Sequence, residues 1–145
     1  GPKVIEYNCR FGDPETQVVL PLLKSDLLDI MIHVANGTLS DAKVEFSKDS
    51  ACCVVMASKG YPQGYEKGHP LSIPKDLSYV YVAGAKSEGG QLVSSGGRVV
   101  GITERGETLR EAIDKAYASV ARIGFENGFY RKDIGKAALT ASEEV

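Results

Sequence analysis

Histidine, cysteine and long apolar runs are scarce in this 145-residue chain, and each shortage removes a class of function. Only His33 and His69 offer imidazole nitrogens. The three cysteines, Cys9, Cys52 and Cys53, contain no C-x-x-C pair, so a zinc site is not expected. Adjacent Cys52 and Cys53 make a poor disulfide framework, and on a strand they point to opposite faces, so at most one joins a given core. Buried free thiols in a reducing cytosol are the expectation. No apolar run is long enough to span a bilayer, and the opening residues lack the basic-then-apolar order of a signal peptide. The expected location is therefore cytoplasmic, with no membrane partner. A net charge of -2 gives no broad positive field, which argues against nucleic acid as a partner. A glycine-rich phosphate loop of the G-x-x-x-x-G-K kind is also missing.

What remains is the composition of a globular domain. Hydrophobic residues make up 43% and charged residues 25%, and the length suffices to bury a real core. Gly1-Pro2-Lys3-Val4-Ile5 opens straight into an expected strand, Lys3 to Tyr7, with nothing before it to pair with. The expectation is a chain cut from something longer.

Periodicity supplies the elements. A first helix is expected from Pro14, with Asp13 as N-cap, and it cannot pass Pro21 undisturbed because an interior proline loses a hydrogen bond and clashes. A second is expected from near Asp26 to Asn36, capped by Ser25 or Asp26 and stopped by Gly37. Its Leu27, Leu28, Ile30, Met31 and Val34 are dense enough to bury most of its circumference, with His33 partly exposed. Ala51 to Ser58 reads as a buried strand. Tyr79 to Ala83, Gln91 to Ser95 and Arg98 to Thr103 read as an antiparallel meander, with turns at Lys86 to Gly90 and at Ser95-Gly96-Gly97. A Gly-Gly turn of that kind ordinarily answers a need for positive φ, and Arg98 beside it reads as a solvated hairpin residue. Thr108 and Glu111 form a capping box for a helix that lays Leu109, Ala112, Ile113, Ala116, Tyr117, Val120 and Ile123 on one stripe. Phe125, Tyr130 and Ile134 are expected anchors, and Thr140 to Val145 a frayed tail.

The densest chemistry lies in Glu6-Tyr7-Asn8-Cys9-Arg10-Phe11-Gly12-Asp13-Pro14-Glu15-Thr16-Gln17. On an extended strand Glu6, Asn8 and Arg10 share one face. A carboxylate and an amide oxygen suit hard Mg²⁺, and a guanidinium grips phosphate oxygens bidentately. Capping would account for Asp13 and Pro14, but not for the other three.

Glu6-x-Asn8-x-Arg10 followed by Phe11 to Gln17 resembles the metal-binding strand of the ATP-grasp ligases, and more narrowly of the phosphoribosylamine–glycine ligase family. Met56-Ala57-Ser58-Lys59-Gly60-Tyr61-Pro62, then Ser95-Gly96-Gly97-Arg98-Val99, then Tyr130-Arg131-Lys132-Asp133-Ile134-Gly135 extend the resemblance in the family's order, from about Lys3 to about Leu139. The resemblance implies an α+β fold in which residues 1–25 end an ATP-grasp domain. Residues 26–145 would form a C-terminal lobe, a small antiparallel sheet with packed helices.

The implied reaction is ATP-dependent ligation of glycine to phosphoribosylamine. The partners are those three substrates and the upstream remainder of the same ligase. Glu6 and Asn8 would bind Mg²⁺ (or Mn²⁺), with ATP as co-substrate, and Arg10 would hold the transferring phosphoryl group. Asp13, Glu15 and Thr16 are the substrate-binding candidates. Asp13 serves equally well as a cap, and the amides of the helix start could receive an anion. The alternatives are another purine-pathway ATP-grasp ligase or a non-catalytic interaction domain. A strand with two metal ligands cannot hold Mg-ATP tightly, so the chain alone is expected to be inactive.

Overall fold

The computed structural model describes residues 2–5, 7 and 9–143. Its centre is a four-stranded antiparallel sheet in the order β2-β5-β1-β6: β1 is Ser50–Ser58, β2 Tyr79–Val82, β5 Arg98–Gly106 and β6 Gly128–Phe129. β3 (Ala85–Glu88) and β4 (Gln91–Ser94) form a separate hairpin. The mixed α+β class expected from the sequence is what the chain adopts.

Two layers cover the central sheet. Cys52 pairs with Glu104, Val54 with Ile102 and Met56 with Val100, so these side chains share one face. Helix α3, Leu109–Val120, buries Ala112, Ile113, Ala116 and Val120 against it. The capping box forms as expected at Thr108, whose hydroxyl accepts from the Glu111 amide at 3.2 Å. The Glu111 carboxylate turns back to the Glu107 amide at 2.8 Å. On the other face lie Cys53, Thr103 and Tyr81, the last paired with Gly101. Helix α1, Thr16–Val19, and the 3₁₀ turn Leu20–Leu22 lie on this side. Cys52 and Cys53 are thus both buried, one in each layer, whereas Cys9 is exposed, against the expectation for that thiol.

The first helix differs from expectation. It begins at Thr16, not Pro14, and Glu15 occupies the cap position without a side-chain cap bond. Asp13 lies two residues before that position, and its carboxylate instead accepts from the Gln17 side-chain amide and faces Arg98. Helix α2, Leu27–Asn36, matches its expected bounds: Asp26 accepts from the Leu28 and Asp29 amides, and Gly37 closes it at φ 69°. None of its side chains is buried, however, so the expected burial of most of its circumference does not occur among the described residues. His33 is half-buried, with Nδ1 3.0 Å from the Thr38 carbonyl oxygen.

Four further expectations are corrected. No strand forms in the described part of Lys3 to Tyr7, since no neighbouring backbone there completes a ladder. The meander is absent as well: β2 pairs directly with β5, and β4 pairs with β3. Lys86 to Glu88 belongs to β3, leaving Gly89-Gly90, both at positive φ, as the two-residue turn. Residues 140–143 continue helix α4 (Lys136–Glu143) and do not fray at Thr140. The Tyr117 hydroxyl ties the segment before α4 to α3, donating to the Arg131 carbonyl at 2.8 Å and accepting from the Ile134 amide at 3.0 Å.

Candidate functional site

Motifs distant in sequence meet where α1 lies on the sheet. Arg98, the first residue of β5, reaches Asp13 across 85 positions. Its Nη1 donates to the Asp13 carbonyl at 3.0 Å, and its Nη2 lies 3.3 Å from Asp13 Oδ2. The Gln17 side-chain amide donates to Asp13 Oδ1 at 2.9 Å. Thr103 donates to the Gln17 carbonyl at 2.8 Å from its buried place on β5. Segment 12–17 is therefore bound to the sheet at both ends of this stretch, and its polar groups are held in fixed directions.

A cleft of about 360 Å³ opens between this segment and Tyr81 of β2, lined also by Phe11, Gly12, Asp13, Thr16, Gln17 and Leu20. Of the expected site residues, Asp13 and Thr16 face the cleft. Arg10 sits one residue before its rim, with Nη1 3.3 Å from the Phe11 carbonyl. Glu15 is exposed and outside the lining. Glu6 and Asn8 lie outside the described residues. Among the described residues no group of three or more His, Cys, Asp and Glu is arranged to hold a metal ion.

Three amides of this helix start are already engaged. The Thr16 amide donates to the Gly12 carbonyl at 3.0 Å, and those of Val18 and Val19 both to the Glu15 carbonyl at 3.0 Å. Gln17 Oε1, by contrast, is buried without a partner among the described residues, an acceptor whose desolvation is uncompensated. Burial also pushes the Cys53 thiol up, an effect that the Asp13 carboxylate reinforces and the Thr103 hydroxyl opposes. Tyr81 is raised too, through burial and then the neighbouring Cys53 and Tyr79.

Sequence reasoning left Gln17, Tyr81 and Thr103 out of the site and read Arg98 as a solvated hairpin residue; it is exposed, and it also reaches Asp13. Period-two alternation does put Tyr79 and Tyr81 on one face, but it does not say which layer that face meets. The Gly96-Gly97 turn also has another cause than expected. Neither glycine is at positive φ. A Cβ on Gly97 would lie 2.1 Å from the Tyr61 ring, and one on Gly96 2.9 Å from Gly84 Cα. The Ser58 hydroxyl and amide bond to the Gly96 and Gly97 carbonyls at 2.9 and 2.8 Å. These glycines exist for close approach, and the packed turn aims Arg98 at Asp13. Lys59 lines a different cavity of about 390 Å³, with His69, Pro70, Glu126 and Asn127.

The fold and this joining of motifs define a family. The description "phosphoribosylglycinamide synthetase, C domain" matches residues 51–137, and the chain belongs to that family. Phosphoribosylamine–glycine ligase of Rhizobium meliloti (strain 1021) is 50% identical over 142 residues, covering 96% of this chain and 34% of that protein. The enzyme of the same name from Caldanaerobacter subterraneus subsp. tengcongensis is 47% identical over 136 residues, 92% of this chain and 33% of its own length. The crystal structure of phosphoribosylamine–glycine ligase from Thermotoga maritima superposes with a TM-score of 0.75 at 36% identity, again over 92% of this chain and 33% of that one. The chain thus spans about a third of the length of the curated relatives it matches.

Proposed function

We propose that this chain is the C-terminal third of an ATP-dependent carboxylate–amine ligase that joins glycine to phosphoribosylamine, the second step of de novo purine synthesis. Residues 1–25 would end the ATP-grasp body and residues 26–145 form the lobe that helps to close its cleft. The observation that carries this reading is the Arg98–Asp13 junction, which ties the segment after the Glu6-x-Asn8-x-Arg10 run to a turn of the family's C domain. Relatives with that name match almost the whole chain.

In the reaction a glycine carboxylate oxygen attacks the γ-phosphorus of ATP and ADP leaves. The nitrogen of phosphoribosylamine then attacks the acyl carbon of glycyl phosphate, phosphate leaves and the nitrogen loses a proton. Two anions must be brought together, so the protein's task is positioning and charge control. Arg10 is assigned to the transferring phosphoryl oxygens. Glu6 and Asn8 would hold Mg²⁺ or Mn²⁺. A carboxylate and an amide oxygen fit such an ion, which when bound neutralises and orients the phosphates. Asp13, with Thr16 beside it in the cleft, is assigned to the amino or hydroxyl groups of a substrate, and Glu15 to the same task from the rim. Arg98 and Gln17 would fix the Asp13 carboxylate. We assign the protein to the cytoplasm, where such a pathway operates.

The test joins this chain to the upstream two-thirds of the Rhizobium meliloti relative and follows ADP formation with ATP, glycine and phosphoribosylamine. The fusion should turn over, and the chain alone should not. Glu6→Gln and Asn8→Ala should each lower kcat by at least about 10- to 100-fold, the loss typical of disturbing even the outer shell of a metal site. Near-normal turnover in both would remove the metal assignment. A fusion that accepts a different amine in place of phosphoribosylamine would point to a sibling ligase, and one inert to all of them to a non-catalytic domain. Glu15→Gln should raise a substrate KM; unchanged kinetics would reduce Glu15 to a helix-start residue.

A further inference from the structure

The cavity of about 390 Å³ opens where the chain leaves β1, and none of its lining residues belongs to the Asp13 cleft. Two backbone features build it. Antiparallel pairing of Ser58 with Gly128 continues into a bond from the Lys59 amide to the Asn127 carbonyl at 2.8 Å, so Lys59 and Asn127 sit opposite each other as cross-strand neighbours. The loop after Lys59 then folds back on itself: Gly60 has φ 98°, and a Cβ there would lie 2.4 Å from the Gly64 carbonyl oxygen. The loop ends at His69, whose amide donates to the Ser94 hydroxyl at 3.1 Å and whose carbonyl accepts from the Ser94 amide at 2.8 Å. Ser94 is fully buried, so His69 is fixed in the cavity wall.

The polar groups of this wall are only partly satisfied. The His69 ring is engaged by Glu66, with Nε2 3.2 Å from its carboxylate. Lys59 and Glu126, a cation and an anion in one lining, make no side-chain bond to each other or to any other described residue. Beside them, Asn127 Nδ2 is buried without an acceptor among the described residues, a donor whose lost hydration is not offset. A fitting ligand brings an acceptor for Lys59 and Asn127 and a positive donor for Glu126. A phosphate dianion meets only the first demand and is repelled by the Glu126 carboxylate. A lone ammonium meets only the second. An α-amino acid carries both groups on one carbon.

We propose that this cavity is a binding site for a free α-amino acid, separate from the place where glycine would react. The ligand carboxylate accepts from the Lys59 ammonium. It also accepts from the Asn127 amide, whose broad terminal torsion lets the N–H turn to the cavity. The ligand ammonium donates to Glu126. The volume falls within the ordinary range of small-molecule sites, roughly 300–1,000 Å³, and Pro70 offers an apolar wall to the amino acid's side chain.

The chain's two histidines provide the measurement, since His69 lines the cavity and His33 lies on α2. In proton NMR spectra, L-alanine titrated into the chain should shift the His69 ring signals saturably and leave those of His33 in place. Lys59→Gln and Glu126→Gln should each weaken that binding by roughly tenfold or more, the loss expected when one partner of a charged hydrogen bond is removed. Lys59→Arg should keep most of it. Both side chains are exposed, so these variants should unfold within about 2 °C of the parent chain. Acetate and methylamine, each with one of the two groups, should bind at least about tenfold more weakly than L-alanine. No saturable shift, or an equal shift at His33, would overturn the proposal. Acetate or inorganic phosphate binding as tightly as L-alanine would overturn it in favour of a simple anion site. In the fusion with the upstream two-thirds of the relative, Lys59→Gln should leave the KM for glycine unchanged; a raised KM would make the cavity part of the reaction's own glycine site and overturn the separate one. An inactive fusion sinks the ligase reading alone, because the titration decides the proposal without it.

Discussion

Replacing Arg98 separates the two bonds that it makes to Asp13. The guanidinium donates to a carbonyl at 3.0 Å and faces a carboxylate oxygen at 3.3 Å. Both side chains are about half exposed, 42% and 51%, so the ion pair is screened and contributes about 0.5 kcal/mol. The charge-assisted bond to the carbonyl contributes about 1–1.5 kcal/mol. Arg98→Ala should therefore cost about 1.5–2 kcal/mol, or roughly 3–8 °C in Tm for a domain of this size. Asp13→Asn keeps the carbonyl and an oxygen for Gln17, and should cost only about 0.5 kcal/mol. Urea denaturation of the two single variants and the double gives the coupling directly. A loss for Asp13→Asn equal to that for Arg98→Ala would refute the reasoning, because the ion pair and not the carbonyl bond would then be holding the segment.

Three further outcomes follow from the same geometry. Thr103→Val keeps the shape of a fully buried side chain but leaves the Gln17 carbonyl without its donor, so urea midpoints should report a loss of about 1–3 kcal/mol. Asp26→Ala removes the acceptor for two amides at the start of α2 and should cost about 1 kcal/mol by the same measurement. For the thiols, only Cys9 is exposed, so a colorimetric thiol reagent should find one fast-reacting group in the folded chain and three after unfolding. Burial pushes the Cys52 thiol from 9.0 up to about 11. Above pH 9 the unfolded chain loses this proton before the folded one does. Stability should therefore be intact below pH 9 and decline by about 2 kcal/mol towards pH 11. A Cys52→Ala variant should lack that share of the decline.

Local signals were legible and long-range ones were not. Asp26, Gly37, Thr108 and Glu111 act within one or two helical turns of themselves, and each ends or starts its helix where the sequence places it. Asp13-Pro14 has the local form of a helix start, yet Asp13 is claimed by a cation 85 residues away. Strand existence was readable at β1 and β2 from their apolar character. Strand order was not, since the choice between β4 and β5 as neighbour of β2 depends on where the hairpin lodges: Val93 bridges Pro70 and Leu92 accepts from the Leu71 amide through the backbone, apart from the central sheet. Polar Lys86, Ser87 and Glu88 gave no strand signal because β3 has backbone pairing with almost no core face. The family's motifs were visible as words in sequence, but only packing reveals that Gly97 is small because a tyrosine ring occupies its side-chain space.

The crowding at Gly96-Gly97 has a mechanical consequence. Tyr61, Ser58 and Gly84 all press on a turn too thin to compress, and the turn continues into the arginine that holds Asp13. A side chain at Gly97 would have to displace the Tyr61 ring or shift the turn, and a shifted turn moves the base of Arg98 and with it the hold on Asp13.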